Sequence, residues 1–217
     1  TRPIVRSVGS VVVIYPPTTR YHASAEKTEV FNVDIWLTSF LGYLASFLPN
    51  MAVQNPRPVL DKYVNKWLWQ QQNEDGSWSY TTAFPVGDND DTALVLSWLL
   101  SKNSKAIQTQ EHKKRAQAAL NFILENHNDN FLGFSTWENI AAEVDATAHV
   151  LNAFVRQQHL NLIDNNTTEE IFEECSKCFK NKQLQNGLWT TRWHLENIYP
   201  TSQILMVLPP NYSEERY

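Results

Sequence analysis

Apolar residues recur at helical spacing through most of this chain, separated by short polar stretches. That period predicts helices over residues 30–47, 59–72, 90–102, 112–126, 144–160, 168–182 and 201–208. Strict alternation of apolar and polar positions is confined to a short run at 11–15, so the chain reads as all-α. Asp88 or Asn89 stands where the third helix needs a cap. Thr167 or Thr168, followed by Glu170, does the same for the sixth. Residues 1–28 carry paired prolines, Ser and Thr without any period and read as an extended arm. The helical domain covers 29–210, and 211–217 reads as a tail.

The helices are not independent of one another. Gln70-Gln71-Gln72-Asn73-Glu74-Asp75-Gly76-Ser77-Trp78 is nearly duplicated by Lys182-Gln183-Leu184-Gln185-Asn186-Gly187-Leu188-Trp189. A degenerate copy, Leu132-Gly133-Phe134-Ser135-Thr136-Trp137, lies between them. Each copy is followed by a helix with a similar opening: Asp90-Asp91-Thr92-Ala93, Asp145-Ala146-Thr147-Ala148 and Tyr199-Pro200-Thr201-Ser202. Asp34-Ile35-Trp36-Leu37-Thr38 opens a fourth such helix upstream. The repeat is about 55 residues, the length of two helices and their loops, so the chain is an array of helix pairs. Gln at a helix end can reach open backbone groups, Gly supplies the left-handed turn, and Trp fills the seam between pairs. Gln71, Gln72, Gln183, Trp78 and Trp189 are therefore assigned to stability, and Trp36, Trp67, Trp69 and Trp98 to the core.

Composition narrows the function. At 217 residues the chain can bury a sizeable core. A net charge of -5 argues against nucleic acid or an anionic membrane as the main partner. The longest apolar run, 35–48, is broken by Thr38, Ser39, Gly42 and Ser46 and is too short for a membrane span. The first residues lack a signal-peptide layout, and two cysteines do not demand an oxidising compartment, so a cytoplasmic location is expected. Cys175 and Cys178 share one helix without a second Cys or His pair nearby, which reads as a buried pair of thiols rather than a zinc site.

The chemistry concentrates at Asp88-Asn89-Asp90-Asp91, three carboxylates within four residues at the mouth of an apolar helix. Like charges that close cannot all ionise, so a proton is held near neutral pH. Such a proton beside apolar surface is placed for delivery to an apolar partner. Helix capping by the same acids is the alternative.

Taken together these segments resemble a family. The Gln-x-x-x-Gly-x-Trp repeat is similar to that of the triterpene cyclases and their (α/α) barrel relatives. Asp88–Ala93 resembles the Asp-x-Asp-Asp motif of class II terpene cyclases, and 145–151 resembles the squalene–hopene cyclase stretch whose His bonds the catalytic Asp. The segment 192–202, with its Tyr-Pro-Thr-Ser ending, looks like the later cavity-lining stretch, in the form found in bacterial cyclases of diphosphate substrates. The similarity runs from about residue 30 to 208, with the motifs in the family's order.

The resemblance implies an all-α (α/α) barrel, incomplete or compact here, and a class II, isomerase-type isoprenoid cyclase. Such an enzyme protonates the terminal alkene of a linear polyprenyl substrate. Farnesyl or geranylgeranyl diphosphate is favoured over squalene. It implies Asp90 as the proton donor, Asp88 and Asp91 as its supports, and His149 as its hydrogen-bond partner. Asp145, one turn before His149, is placed to orient it. Tyr80, Trp193 and Tyr199 are implied as cavity lining, with Trp137 and Phe134 as weaker candidates whose role is equally packing. Aromatic faces suit a carbocation because they attract it without attacking it. His194 and Glu196 lie in the right segment to remove the final proton, and the motif does not choose between them. Protonation needs no cofactor. Magnesium would serve only to hold a diphosphate, and no motif for it is found. Complete barrels of this kind contain more helix pairs than seven helices supply, so either the domain is compact or truncated, or another domain or chain completes it. Two other readings remain open. A protein prenyltransferase β subunit shares the barrel but needs zinc on Asp, Cys and His. A non-catalytic helical-repeat module would bind partners.

Overall fold

The computed structural model describes residues 12–13, 31–32, 34–45, 57–101, 104–127, 132–138, 140–194 and 196–208. The expected arm at 1–28 and the tail at 211–217 lie outside them, apart from Val12–Val13. The elements run β1 (Val12–Val13), β2 (Phe31–Asn32), α1 (Asp34–Ala45), α2 (Arg57–Gln70), β3 (Trp78–Thr81), β4 (Phe84–Asp88) and α3 (Asn89–Leu99). They continue with α4 (Gln110–Glu125), α5 (Val144–Gln157), a 3₁₀ turn at Gln158–Leu160, α6 (Asn165–Lys182) and α7 (Ile198–Val207). All seven expected helices are present, with boundaries moved by a few residues. Residues 31–32 pair with 12–13 as antiparallel strand rather than opening the first helix.

The helices form two layers. α1, α3, α5 and α7 pack side by side in chain order, while α2 backs α1, α4 backs α3 and α6 backs α5. This is the layering that an array of helix pairs requires, because each helix buries one stripe against its own pair and another against the next pair.

The staple between repeats is visible atom by atom. The Trp78 N–H donates to Thr92 Oγ1 of α3 at 2.9 Å, and its indole N–H donates to the Leu68 carbonyl at 2.7 Å. The Trp189 N–H donates to Thr201 Oγ1 of α7 at 3.1 Å, and its indole to the Phe179 carbonyl at 2.8 Å. Phe134 takes the tryptophan's place in the middle copy, its N–H donating to Thr147 Oγ1 of α5 at 2.9 Å. Gly76, Gly133 and Gly187 all have φ between 82° and 92°, the left-handed turn that only glycine adopts without strain. Gln72 and Gln183 donate to the carbonyls of Gly76 and Gly187 at 2.7 and 2.6 Å, closing each loop on itself. Gln72, not Gln71, is thus the counterpart of Gln183. Gln72 also reaches the Arg115 carbonyl of α4.

Two local features depart from the helical expectation. Residues 78–88 form a hairpin, with Trp78 opposite Asp88 and Ser79 opposite Gly87. A Cβ at Gly87 would fall 1.8 Å from Ser77 Oγ and 2.5 Å from Ser77 Cβ, so only glycine fits there. The hairpin is tied to α1 by Asp34, whose carboxylate accepts from the Thr82 N–H and hydroxyl at 3.0 and 2.5 Å. The cap of α6 is Asp164 rather than Thr167 or Thr168. It accepts from the Thr167 N–H at 2.9 Å, and a carboxylate at the positive end of a helix also meets the helix dipole. Of the tryptophans assigned to the core, Trp98 and Trp69 are buried. Trp36 is half-buried and stacks on Phe40 at 5.1 Å.

Cys175 and Cys178 are free, buried thiols facing α5, each 4.0 Å from an oxygen of Thr147. No described helix is long and apolar enough to cross a membrane.

Candidate active site

The hairpin delivers Asp88 to the head of α3, where its Oδ1 accepts the Asp91 N–H at 2.8 Å and caps the helix. The capping expectation is therefore met, by Asp88. Asp88 and Asp91 are 2% exposed and hydrogen-bonded to each other through their carboxyls. Burial raises both, with the neighbouring carboxylates adding repulsion. Asp88 is pushed up to about 7 and Asp91 well above the ordinary carboxylate range. The pair accordingly holds a proton at neutral pH. Asn89 anchors the turn from the other side. Its N–H donates to the Thr136 carbonyl and its amide to the Ser135 carbonyl.

Asp90 has a different partner. Its Oδ1 lies 2.5 Å from Nδ1 of His149, at the corresponding end of α5. His149 is buried, which alone would lower its pKa. Asp90, by charge and hydrogen bond, reverses this, with Asp145 and Gln203 assisting, and His149 is raised above the ordinary imidazole value. Its second nitrogen, Nε2, lies 3.1 Å from the Tyr199 hydroxyl. As a cation, His149 donates one N–H to Asp90 and the other to Tyr199.

Tyr199 carries the cluster onward. The His194 ring packs on it at 4.0 Å and 32°, and Phe40 of α1 touches it at 5.6 Å, with Trp36 stacked beyond. Four helices of one layer thus each contribute to one spot: Phe40 from α1, Asp90 from α3, His149 from α5, and Tyr199 with Gln203 from α7.

Phe134, Trp137 and Trp193 are placed apart from this cluster. Phe134 is 1% exposed and packed into the staple, so it fills the core and lines nothing. Trp137 and Trp193 are nearly half-exposed and form an edge-to-face pair at 5.7 Å. The Trp193 indole donates to Glu143 Oε1 at 2.8 Å, and neither ring has a described contact with Asp90 or His149. Tyr80 is half-buried on β3, which packs against α1. An open groove of about 470 Å³ runs along the outer side of the hairpin past Val86, Asp88, Asn89, Phe122 and Trp137. Asp90 and His149 do not line it.

The sequence singled out Asp145 but not Glu143. Asp145 Oδ2 accepts from the Thr191 hydroxyl at 2.8 Å, and burial, with Asp90 nearby, pushes its carboxyl up to about 6. Glu143 accepts from the Thr136 N–H and hydroxyl, the Trp193 indole and Arg192 Nε, the last at 2.6 Å. Together the two acids pin the segment 191–194 across the head of α5. Gln203 and Phe40 were also missed, for neither carries a motif.

Among the described residues no three His, Cys, Asp or Glu side chains converge as a metal site. In the 88–91 turn Asp88 caps the helix and Asp90 meets His149, while Asp91 Oδ1 is buried without a hydrogen-bond partner. The two thiols face Thr147 and do not fit zinc.

No protein-family model and no curated protein matches this sequence. Among solved structures, it is similar to the type II terpene cyclase MstE from Scytonema, with TM-score 0.58 and 17% identity over 84% of this chain. A variant of that enzyme in complex with geranylgeranyl dihydroxybenzoate, its substrate, gives TM-score 0.59 at 15% identity over 92%. A variant with merosterolic acid A, its product, gives 0.58 at 16% over 85%. The chain spans about half the length of these structures, 49–52%. Likeness at this identity establishes the fold, which is that of the class II terpene cyclases.

Proposed function

We propose that this chain acts as a class II isoprenoid cyclase, using Asp90 to protonate the terminal alkene of a linear polyprenyl substrate. The observation that carries this reading is the 2.5 Å contact between Asp90 and His149, set in a fold shared with type II terpene cyclases. An alkene is a very weak base, so its acid must be supported as it becomes a carboxylate. A cationic His149 provides that support on Oδ1, leaving Oδ2 to face the alkene. The buried Asp88–Asp91 pair keeps the turn rigid. Tyr199 and Phe40 offer aromatic faces to the cation, each worth about 0.5–2 kcal/mol. Tyr80, Trp193 and Trp137 remain candidates for the lining.

Farnesyl or geranylgeranyl diphosphate is the favoured substrate class, with squalene behind. With a diphosphate substrate, magnesium would serve only to hold it. The proposal includes completion of the barrel by a further domain or chain. In support, α7 leaves Ile198, Leu205 and Met206 exposed. The test is incubation of wild type and Asp90→Asn with all three substrates, followed by mass spectrometry of extracted products. Cyclised product from wild type and none from the variant, at unchanged helical circular dichroism, supports the reading. Equal product from both rejects it.

A further inference from the structure

We infer that His194 is the base that ends the reaction by taking a proton from the cyclised cation, with Asp145 behind it as counter-ion; this rests on the cyclase reading above. The candidates for this role are few. His149 is committed to Asp90 and Tyr199 through both nitrogens. Glu196 is exposed. Of these three described residues, His194 combines access, a free lone pair and support for the charge it would gain.

Its ring lies on Tyr199, the same side chain whose hydroxyl holds His149, which places it on the acid's side of the molecule. Its side chain is 29% exposed, and neither ring nitrogen has a hydrogen-bond partner among the described residues. Nε2 lies 3.9 Å from Asp145 Oδ2, too far for a hydrogen bond yet close enough for an ion pair once the ring is charged. The other oxygen of Asp145 is buried without a partner, so the carboxylate has capacity to spare. Burial lowers His194 below the ordinary imidazole value, against the pull of Asp90, and the charge on His149 adds to the lowering. The ring is therefore neutral at pH 7, as a base must be. The segment is held in place by Thr191 on Asp145 and Arg192 on Glu143.

The step balances without a co-reactant. A C–H bond next to the cationic carbon breaks, and its electron pair closes a C=C bond. The proton goes to a His194 ring nitrogen, giving an imidazolium paired with Asp145. One proton arrives from Asp90 and one leaves to His194, so substrate and product are isomers.

The test compares wild type, His194→Gln and His194→Ala with farnesyl and geranylgeranyl diphosphates, scoring both substrate consumption and product identity. In both variants consumption should fall less than tenfold, while the alkene isomer that wild type makes drops at least tenfold relative to water-captured alcohols and other isomers. Added imidazole should restore that isomer in His194→Ala, an effect that a merely structural histidine would not give. Wild-type product ratios in both variants overturn the role of His194 while leaving the cyclase reading intact. Absence of any Asp90-dependent product from wild type overturns both.

Discussion

The first turns of α3 and α5 occupy the same place in successive repeats, yet they have become different things. Asp90 stands two residues before the staple threonine Thr92, and Asp145 two residues before Thr147. Asp90 is the more exposed and is bound by a histidine from the neighbouring helix. Asp145 is buried and bound by a threonine from the strap that crosses it. The corresponding position of α7 is Tyr199. Four residues after each come Leu94, His149 and Gln203. His149 thus collects Asp90 and Tyr199 from the first position of its two neighbours and Gln203 from the second. The repeat settles where these side chains stand, and only the side chains settle what they do.

The sharpest way to break the comparison is to neutralise each acid in turn. Asp90→Asn should lower product formation on the order of 10²–10⁴-fold, the usual contribution of a positioned acid. Asp145→Asn should cost much less turnover and instead change which isomer forms. Equal losses, read by product chromatography, would mean that the two positions have not diverged.

Next in size is the shared scaffold. Thr92→Val and Thr147→Val each leave a buried backbone N–H, that of Trp78 or Phe134, without its acceptor. Each should cost about 1–3 kcal/mol in denaturant unfolding. A loss at one position only would show that the staples are not equivalent.

The smallest effect is in pH. Asp88 at about 7 and Asp145 at about 6 both hold a proton more tightly folded than unfolded, where a carboxyl titrates near ~3.9. The stability they confer is complete below about pH 4. It is lost as pH rises to about 6 for Asp145 and about 7 for Asp88, with Asp91 acting in the same sense. The melting temperature should therefore fall across that window. Asp88→Asn, which still caps α3, should flatten the fall up to pH 7, whereas Asp145→Asn should flatten only the part below pH 6. Melting curves that rise between pH 4 and 7 would contradict the burial of these acids.

Much of this was legible in the residues. Helical period located every helix. The duplicated Gly-x-Trp segments foretold the left-handed glycines and the buried indoles. The spacing of acids in 88–91 pointed to a shared proton, and burial does raise Asp88 and Asp91. The pairing of Asp90 with His149 was implied by family likeness. What escaped was set by three-dimensional closure. The hairpin 78–88 is too short, and too broken by Pro85 and Gly87, to show alternation. Phe40 and Gln203 lie on helix faces whose polarity is unremarkable until four helices meet. Phe134, Trp137 and Trp193 carry the same aromatic signal as Tyr199, and only packing tells which ring faces the acid.

Gly87 has an effect of its own on how variants will be read. It sits next to Asp88 with no room for even a methyl group against Ser77, and the strand it belongs to leads straight into α3. In a random-mutagenesis screen, lesions at Gly87 would be recovered beside those at Asp90 and give the same dead phenotype. They would do so by dislodging the acid turn, and soluble yield rather than turnover would tell the two kinds apart.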